Sequence, residues 1–206
     1  MILLTVGTRP EWIKIKPVAL SLQQSGIPFA FIRVMQHDDA MVGFDKSTFP
    51  GIDVRRIYIN SLSSHNRLNN VIASVIGTLR AQRGDVVLVQ GDTATTFAAA
   101  LAAHHCGATV VHLEAGLRSF DRENPWPEEI YRRCVTEIAD VHLAPTQHAA
   151  DNIEIAEGVI HVVGNTVLDA TRKFVDKTAK RSQYARQILV TLHRRENRPP
   201  DRDWET

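Results

Sequence analysis

Only two of the 206 residues are cysteine, Cys106 and Cys134, and their spacing forms no pair. A disulfide framework is therefore excluded, and a reducing compartment, by default the cytoplasm, is expected. No apolar run reaches the roughly 18 residues that a membrane-spanning helix needs. The opening MILLTVGTRPEW carries too short an apolar run for a signal peptide, and its first lysine follows that run. Charge of either sign is not in excess. With 24 basic and 23 acidic residues the formal charge is +1, which argues against a general nucleic-acid or anionic-membrane surface. Neither a Walker loop nor a G-x-G-x-x-G fingerprint is present, so nicotinamide binding and ATP hydrolysis lose support. Serine and cysteine nucleophiles in a catalytic setting are missing, and so is a histidine cluster of metal-binding type. His104, His105 and Cys106 are consecutive in a helical pattern and so point in different directions.

What is present is an alternation of short Val- and Ile-rich runs with helical patterns. The strand candidates are residues 2–6, 29–34, 56–59, 85–90, 108–113, 141–145, 159–163 and 187–192. Continuous apolar runs suit strands covered on both faces. Between them, Leu68, Val71, Ile72, Val75, Ile76 and Leu79 make a stripe at helical spacing. The Ala-rich stretch 93–106 stops before Gly107, and PWPEEIYRRCVTEIA starts a helix near Pro127. Pro17 is expected to kink or shorten the first helix. Strand–helix alternation with short links predicts an α/β fold with a doubly wound, Rossmann-like parallel sheet over residues 1–170. Residues 171–186 are highly charged and read as a surface helix or linker. The run QILVTL then opens a second domain over 187–206, and the chain reads as a fragment.

In such a sheet, ligands bind at the carboxyl ends of the strands. GTRPE (7–11) pairs a tight glycine turn with a helix start, where backbone N–H groups can meet an anion and Arg9 can add a bidentate phosphate contact. A plain strand–helix turn with a solvated arginine explains the same residues equally well. Asp92 in QGDTATT is first of all an N-cap candidate, although Gly91 beside it permits close approach of a ligand. Glu114 closes a buried strand, which costs desolvation unless it is paired, with Arg118 as the structural partner, or functional. Glu128 and Glu129 stand in the first turn of a helix, where negative charge is favoured anyway. The two prolines around Trp126 make a stiff loop able to hold one carboxylate in a fixed place. His37 and His193 fall at strand ends, and Arg194 and Arg195 next to His193 suit a phosphate. Several acids with Arg and His on one rim point to proton transfer on a phosphate-bearing substrate. Spacing alone does not choose the substrate.

Six stretches in order, VGTRPEWIKIKPV, VQGDTATTFAAALAA, VVHLEAGLRSFDRENPWPEEIYRR, APTQHAADNI, VVGNTVLDA and ILVTLHRREN, together resemble the bacterial non-hydrolysing UDP-N-acetylglucosamine 2-epimerases. The resemblance runs from residue 1 to about 198. It implies one half of a glycosyltransferase-B-like pair of Rossmann-like domains with the active site between them. It also implies a homodimer, no metal or nicotinamide cofactor, a UDP-sugar as the small-molecule partner, and a role in supplying cell-surface polysaccharide precursors. In the implied mechanism UDP leaves C1 as a proton leaves C2, a 2-acetamidoglucal forms, and UDP and a proton add back with inversion at C2. Matched motif by motif, the resemblance makes Asp92, Glu114, Glu128 and His193 catalytic, and Arg9, His37 and Arg132 substrate-binding. MQHDDAMV departs from the family's usual stretch around His37. Since the chain supplies one of the two implied domains, it is expected to have little or no activity alone. Two alternatives stand beside this reading: a hydrolysing relative that releases N-acetylmannosamine, and a non-catalytic UDP-sugar-binding fragment.

Overall fold

A computed structural model of the chain describes residues 1–36, 42–59, 67–155 and 158–172. The chain divides into two compact units, Met1–Phe174 and Val175–Thr206, and every described residue belongs to the first. The expected linker from residue 173 onward and the expected strand at 187–192 lie outside the described residues.

Seven strands form one all-parallel sheet in the order β3-β2-β1-β4-β5-β6-β7. They are β1 (Ile2–Val6), β2 (Phe29–Met35), β3 (Val54–Tyr58), β4 (Val86–Gln90), β5 (Thr109–Leu113), β6 (Val141–Ala144) and β7 (Val159–Val162). The helices are α1 (Arg9–Gln24), α2 (Arg67–Thr78), α3 (Ala94–His105), α4 (Glu128–Ile138), α5 (Gln147–Asp151) and α6 (Val167–Arg172). The order reverses between β1 and β4, as in a doubly wound Rossmann-like sheet, and the crevice at that switch point is where such folds bind ligands. Both the fold class and the seven expected strands within the described residues agree with the sequence reading, with ends shifted by a residue or two.

Alternate residues of each strand face opposite layers. On one face Leu3, Ile32, Val87, Val89 and Val110 pack under Val71 and Val75 of α2, the alanines of α3 and Val135 of α4. On the other, Leu4, Val6, Phe31 and Leu88 pack under Trp12, Ile15 and Ala19 of α1, with Phe44 and Phe49 closing an aromatic box around Trp12. The stripe expected on α2 is wider than its buried seam: Val71, Val75 and Leu79 are buried, whereas Leu68 and Ile76 are exposed.

α1 corrects one expectation. It is not shortened at Pro17 but continues through it to Gln24. A proline at this position removes one backbone donor, and the buried Trp12, Ile15 and Ala19 tie both sides of it to the sheet. α3 ends as expected: Gly107 takes φ +71°, its N–H donates to the His104 carbonyl at 2.9 Å, and the Ala108 N–H donates to the Ala103 carbonyl at 3.1 Å, a Schellman cap.

Gly116 in the loop after β5 is irreplaceable on two counts. Its φ is +83°, and an added Cβ would stand 1.9 Å from the Ala149 carbonyl oxygen. Gly116→Ala is expected to cost about 2–3 kcal/mol through overpacking and a disfavoured backbone. Urea denaturation checks this, and a loss under about 0.5 kcal/mol, the size of an ordinary surface change, would contradict it.

Candidate active site

The carboxyl rim of β4 and β5 gathers the acids. Gln90 and Leu113 are register partners at the ends of these neighbouring strands. Asp92 stands two residues beyond the first and Glu114 one beyond the second. A Cβ at Gly91 would lie 3.9 Å from Glu114 Oε2. Glu114 has φ +69°, a left-handed conformation that a carboxylate side chain adopts at a cost of about 1–3 kcal/mol and that clusters at functional sites.

Glu114 is gripped by three donors from three elements. Lys14 of α1 makes an ion pair with Oε2, Gln90 Nε2 donates to the same oxygen at 2.5 Å, and Asn165 Nδ2 donates to Oε1 at 2.9 Å. Arg118, the partner expected from sequence, instead donates to the Leu117 carbonyl and to Thr136 Oγ1. Lys14 wins because α1 starts at the rim beside β4, which puts the lysine of its second turn over the end of β5.

Asp92 is not the cap of α3. Thr93 takes that role, its hydroxyl accepting from the Thr96 N–H at 3.2 Å. Asp92 is left free of the helix and pairs with Arg132 of α4. Arg132 is held from behind by Glu129, whose Oε2 lies 3.5 Å from Arg132 Nη1. Glu129 is wholly buried; its Oε1 accepts from Arg133 Nε at 2.9 Å and its Oε2 from the Ser119 N–H at 3.0 Å. Burial works against its charge, but the Ser119 amide and the two arginines outweigh it and hold the carboxyl below the usual range. Glu128 sits one helical turn before Arg132, so the two share a face of α4. Glu128 is half-buried. Asp92, with Arg132 paired to it, and Glu114 thus stand past the ends of the neighbouring strands β4 and β5.

The remaining expected residues are placed differently. Arg9 is exposed and lines a groove of about 490 Å³ with Trp12, Lys16, Val42 and Ala170. His37 and His193 lie outside the described residues. No group of three or more metal-type side chains occurs among the described residues, and no described helix is long and apolar enough to cross a membrane.

A second layer under the rim was not singled out from sequence. Glu11 is buried; its Oε2 accepts from the Gly7 and Thr8 N–H groups, both at 2.6 Å, and its Oε1 from Thr93 Oγ1 at 2.5 Å. It ties the GTRPE turn to the QGDT turn, and burial raises its pKa. The spacing Thr8-x-x-Glu11 is a capping-box signature that could have found it.

His112 on β5 points its Nε2 at the Gly91 carbonyl, 2.8 Å away, just before Asp92. Burial depresses its pKa from 6.5 to about 4. In the unfolded chain it takes a proton near 6.5, so its stabilising neutrality is complete above pH 6.5 and is lost as pH falls toward 4. About 3 kcal/mol should disappear over that window. His112→Gln keeps a donor for Gly91 without titrating there. Its stability is expected to vary less between pH 6.5 and 4 than the parent's, and parallel curves would refute the assignment.

Comparison with known proteins points the same way as the rim. Residues 23–205 match the profile of the UDP-N-acetylglucosamine 2-epimerase family. The chain belongs to that family. A UDP-N-acetylglucosamine 2-epimerase from Methanococcus maripaludis is 38% identical over 213 residues, which cover 93% of this chain and 56% of the relative. The crystal structure of a UDP-GlcNAc 2-epimerase from Neisseria meningitidis bound to UDP-GlcNAc superposes with a TM-score of 0.70 at 37% identity, over 84% of this chain and 49% of the other. The Methanocaldococcus jannaschii enzyme in complex with UDP-GlcNAc and UDP gives 0.72 at 36% identity, over 84% and 48%. The chain thus spans about half the length of the relatives it matches. Within this epimerase family member, the residues that sequence reasoning missed are the holders of the acids: Lys14, Gln90 and Asn165 around Glu114, and Glu129 behind Arg132.

Proposed function

We propose that this chain carries the acid-bearing part of a site that interconverts UDP-N-acetylglucosamine and UDP-N-acetylmannosamine. The observation that supports the reading is the placement of Asp92, paired with Arg132, and Glu114 just past the ends of the neighbouring strands β4 and β5 in a family member's sheet. The C2 hydrogen of a hexose is not acidic. Its removal becomes feasible as the C1–O bond to UDP breaks and positive charge develops on the ring. Carboxylates near C1 and C2 stabilise that charge and accept the proton. The products of this half-reaction are UDP and 2-acetamidoglucal. Return of UDP to C1 and of a proton to the opposite face of C2 completes the inversion. No electrons change hands, so the reaction as written calls for no nicotinamide.

Arg132, held to Asp92, and Arg9, at the start of α1, are the proposed contacts of the nucleotide sugar, with His37. His193 is the proposed histidine at the diphosphate. Two free thiols and a nucleotide-sugar substrate favour the cytoplasm, with polysaccharide precursors as the product's destination and a homodimer as the assembly.

The test is isotopic. In heavy water, incubation with UDP-N-acetylglucosamine should place deuterium at C2 of the UDP-sugar. Even slow exchange accumulates over hours, so weak turnover by the chain alone is detectable. Binding of the UDP-sugar by the intact gene product without any label at C2 would overturn the reading, and free N-acetylmannosamine as sole product would replace it with hydrolysis.

A further inference from the structure

We propose that Asn165 is a positioning residue that fixes the carboxylate of Glu114. The inference rests on the reading of Glu114 as a working acid. β7 lies two strands away from β5 in the sheet, yet the turn after β7 comes back across the rim to place Asn165 Nδ2 2.9 Å from Glu114 Oε1. Gly164, at φ +84°, permits that reversal, a conformation other residues rarely take. The amide of Asn165 is itself held in orientation. Its Oδ1 accepts from the Val167 N–H at 3.0 Å, so the other end of the amide, the NH₂, must face Glu114. The Leu168 N–H donates to the Asn165 carbonyl at 3.0 Å, which fixes the backbone at the start of α6.

The two oxygens of Glu114 are therefore treated differently. Oε2 meets Lys14 and Gln90, which lie on or beside the central strands. Among the described residues Oε1 meets Asn165 alone. Rotation of the carboxylate about its last bond is checked at Oε1 by this one donor. A carboxylate that must meet a single hydrogen of a sugar ring loses rate steeply when it drifts, by up to about 100-fold for 1 Å.

Asn165→Asp separates this role from a structural one. Aspartate is as good an acceptor for the Val167 N–H as asparagine, so the start of α6 is kept, while the donor facing Glu114 becomes a second carboxylate. Asn165→Ser also keeps an acceptor near the helix start but does not reach Glu114. In both variants, C2 deuterium exchange at saturating UDP-N-acetylglucosamine is expected to fall about 10-fold or more, with UDP-sugar affinity changed less than about threefold. Crystal structures of both variants are expected to show Oε1 of Glu114 displaced. An unmoved Glu114, or unchanged exchange at saturation with weakened binding, would overturn the proposal. If the intact parent gene product exchanges no label, the epimerase reading fails by itself, and the position of Glu114 in the two variant structures still decides whether Asn165 fixes it.

Discussion

Glu129→Ala is expected to destabilise the fold by about 3–5 kcal/mol, the cost of breaking a buried ion pair from one side. Glu129 is fully buried and accepts from Arg133 Nε and from the Ser119 N–H, with Arg132 beside it. Its removal leaves the Ser119 N–H and the Glu129-facing end of the largely buried Arg132 without their acceptor, while the 40% exposed Arg133 can turn to water. The loss also spreads outward. Arg132 would keep Asp92 as its acidic partner but lose the group that aims it. Ser119 anchors the loop that leads to the prolines and Glu128, so that loop would lose one of its ties to α4 and keep the bond from Arg118 to Thr136. Urea denaturation of the variant measures the effect, and a loss below about 1 kcal/mol, typical of an exposed pair, would show that the buried network is not needed. Glu129→Gln keeps the acceptor for Ser119 and should recover part of the loss.

The largest kinetic effect is expected at Asp92. Asp92→Asn retains size and an oxygen acceptor but removes the charge and the ability to carry a proton. Deuterium incorporation at C2 should drop by about 10²-fold or more, in the range that positioned acid–base groups contribute. The fold should survive, because Asp92 is 31% exposed on its side chain and its partner Arg132 keeps Glu129. A variant that exchanges label within about threefold of the parent would remove Asp92 from the mechanism, since less than about 0.7 kcal/mol of transition-state stabilisation would then depend on it.

Much of this molecule could be read before it was seen. Strands covered on both faces announce themselves as continuous Val and Ile runs, and the glycine after α3 marks its end. The positions of Asp92 and Glu114 past strand ends were also legible, since each follows a Val-rich run. Their holders were not. Lys14, Gln90 and Asn165 come from α1, β4 and the turn after β7, and only the closure of the sheet brings them to Glu114. Nothing in the spacing of a single segment reports that meeting. Glu129 looked like an acid placed for the helix dipole. Its arginines at i+3 and i+4 in EEIYRR were the signal that it had a larger role. At Asp92 the local preference pointed to an N-cap, and Thr93 took the cap because its hydroxyl lies one residue closer to the first turn. Arg118 was the nearest cation to Glu114 in sequence, yet the chain turns at Gly116 and carries it under α4 instead.

Asp92 and Glu114 follow the ends of β4 and β5, hydrogen-bonded neighbours whose spacing is a ruler of about 4.8 Å that every parallel sheet shares. Side-chain substitutions leave that ruler untouched. Glu128 obeys no such constraint: its place is dictated by a turn of prolines and by the anchoring of α4. A redesign of this rim for a bulkier or differently configured sugar therefore has one adjustable jaw and one fixed jaw, and the freedom lies in residues 117–128.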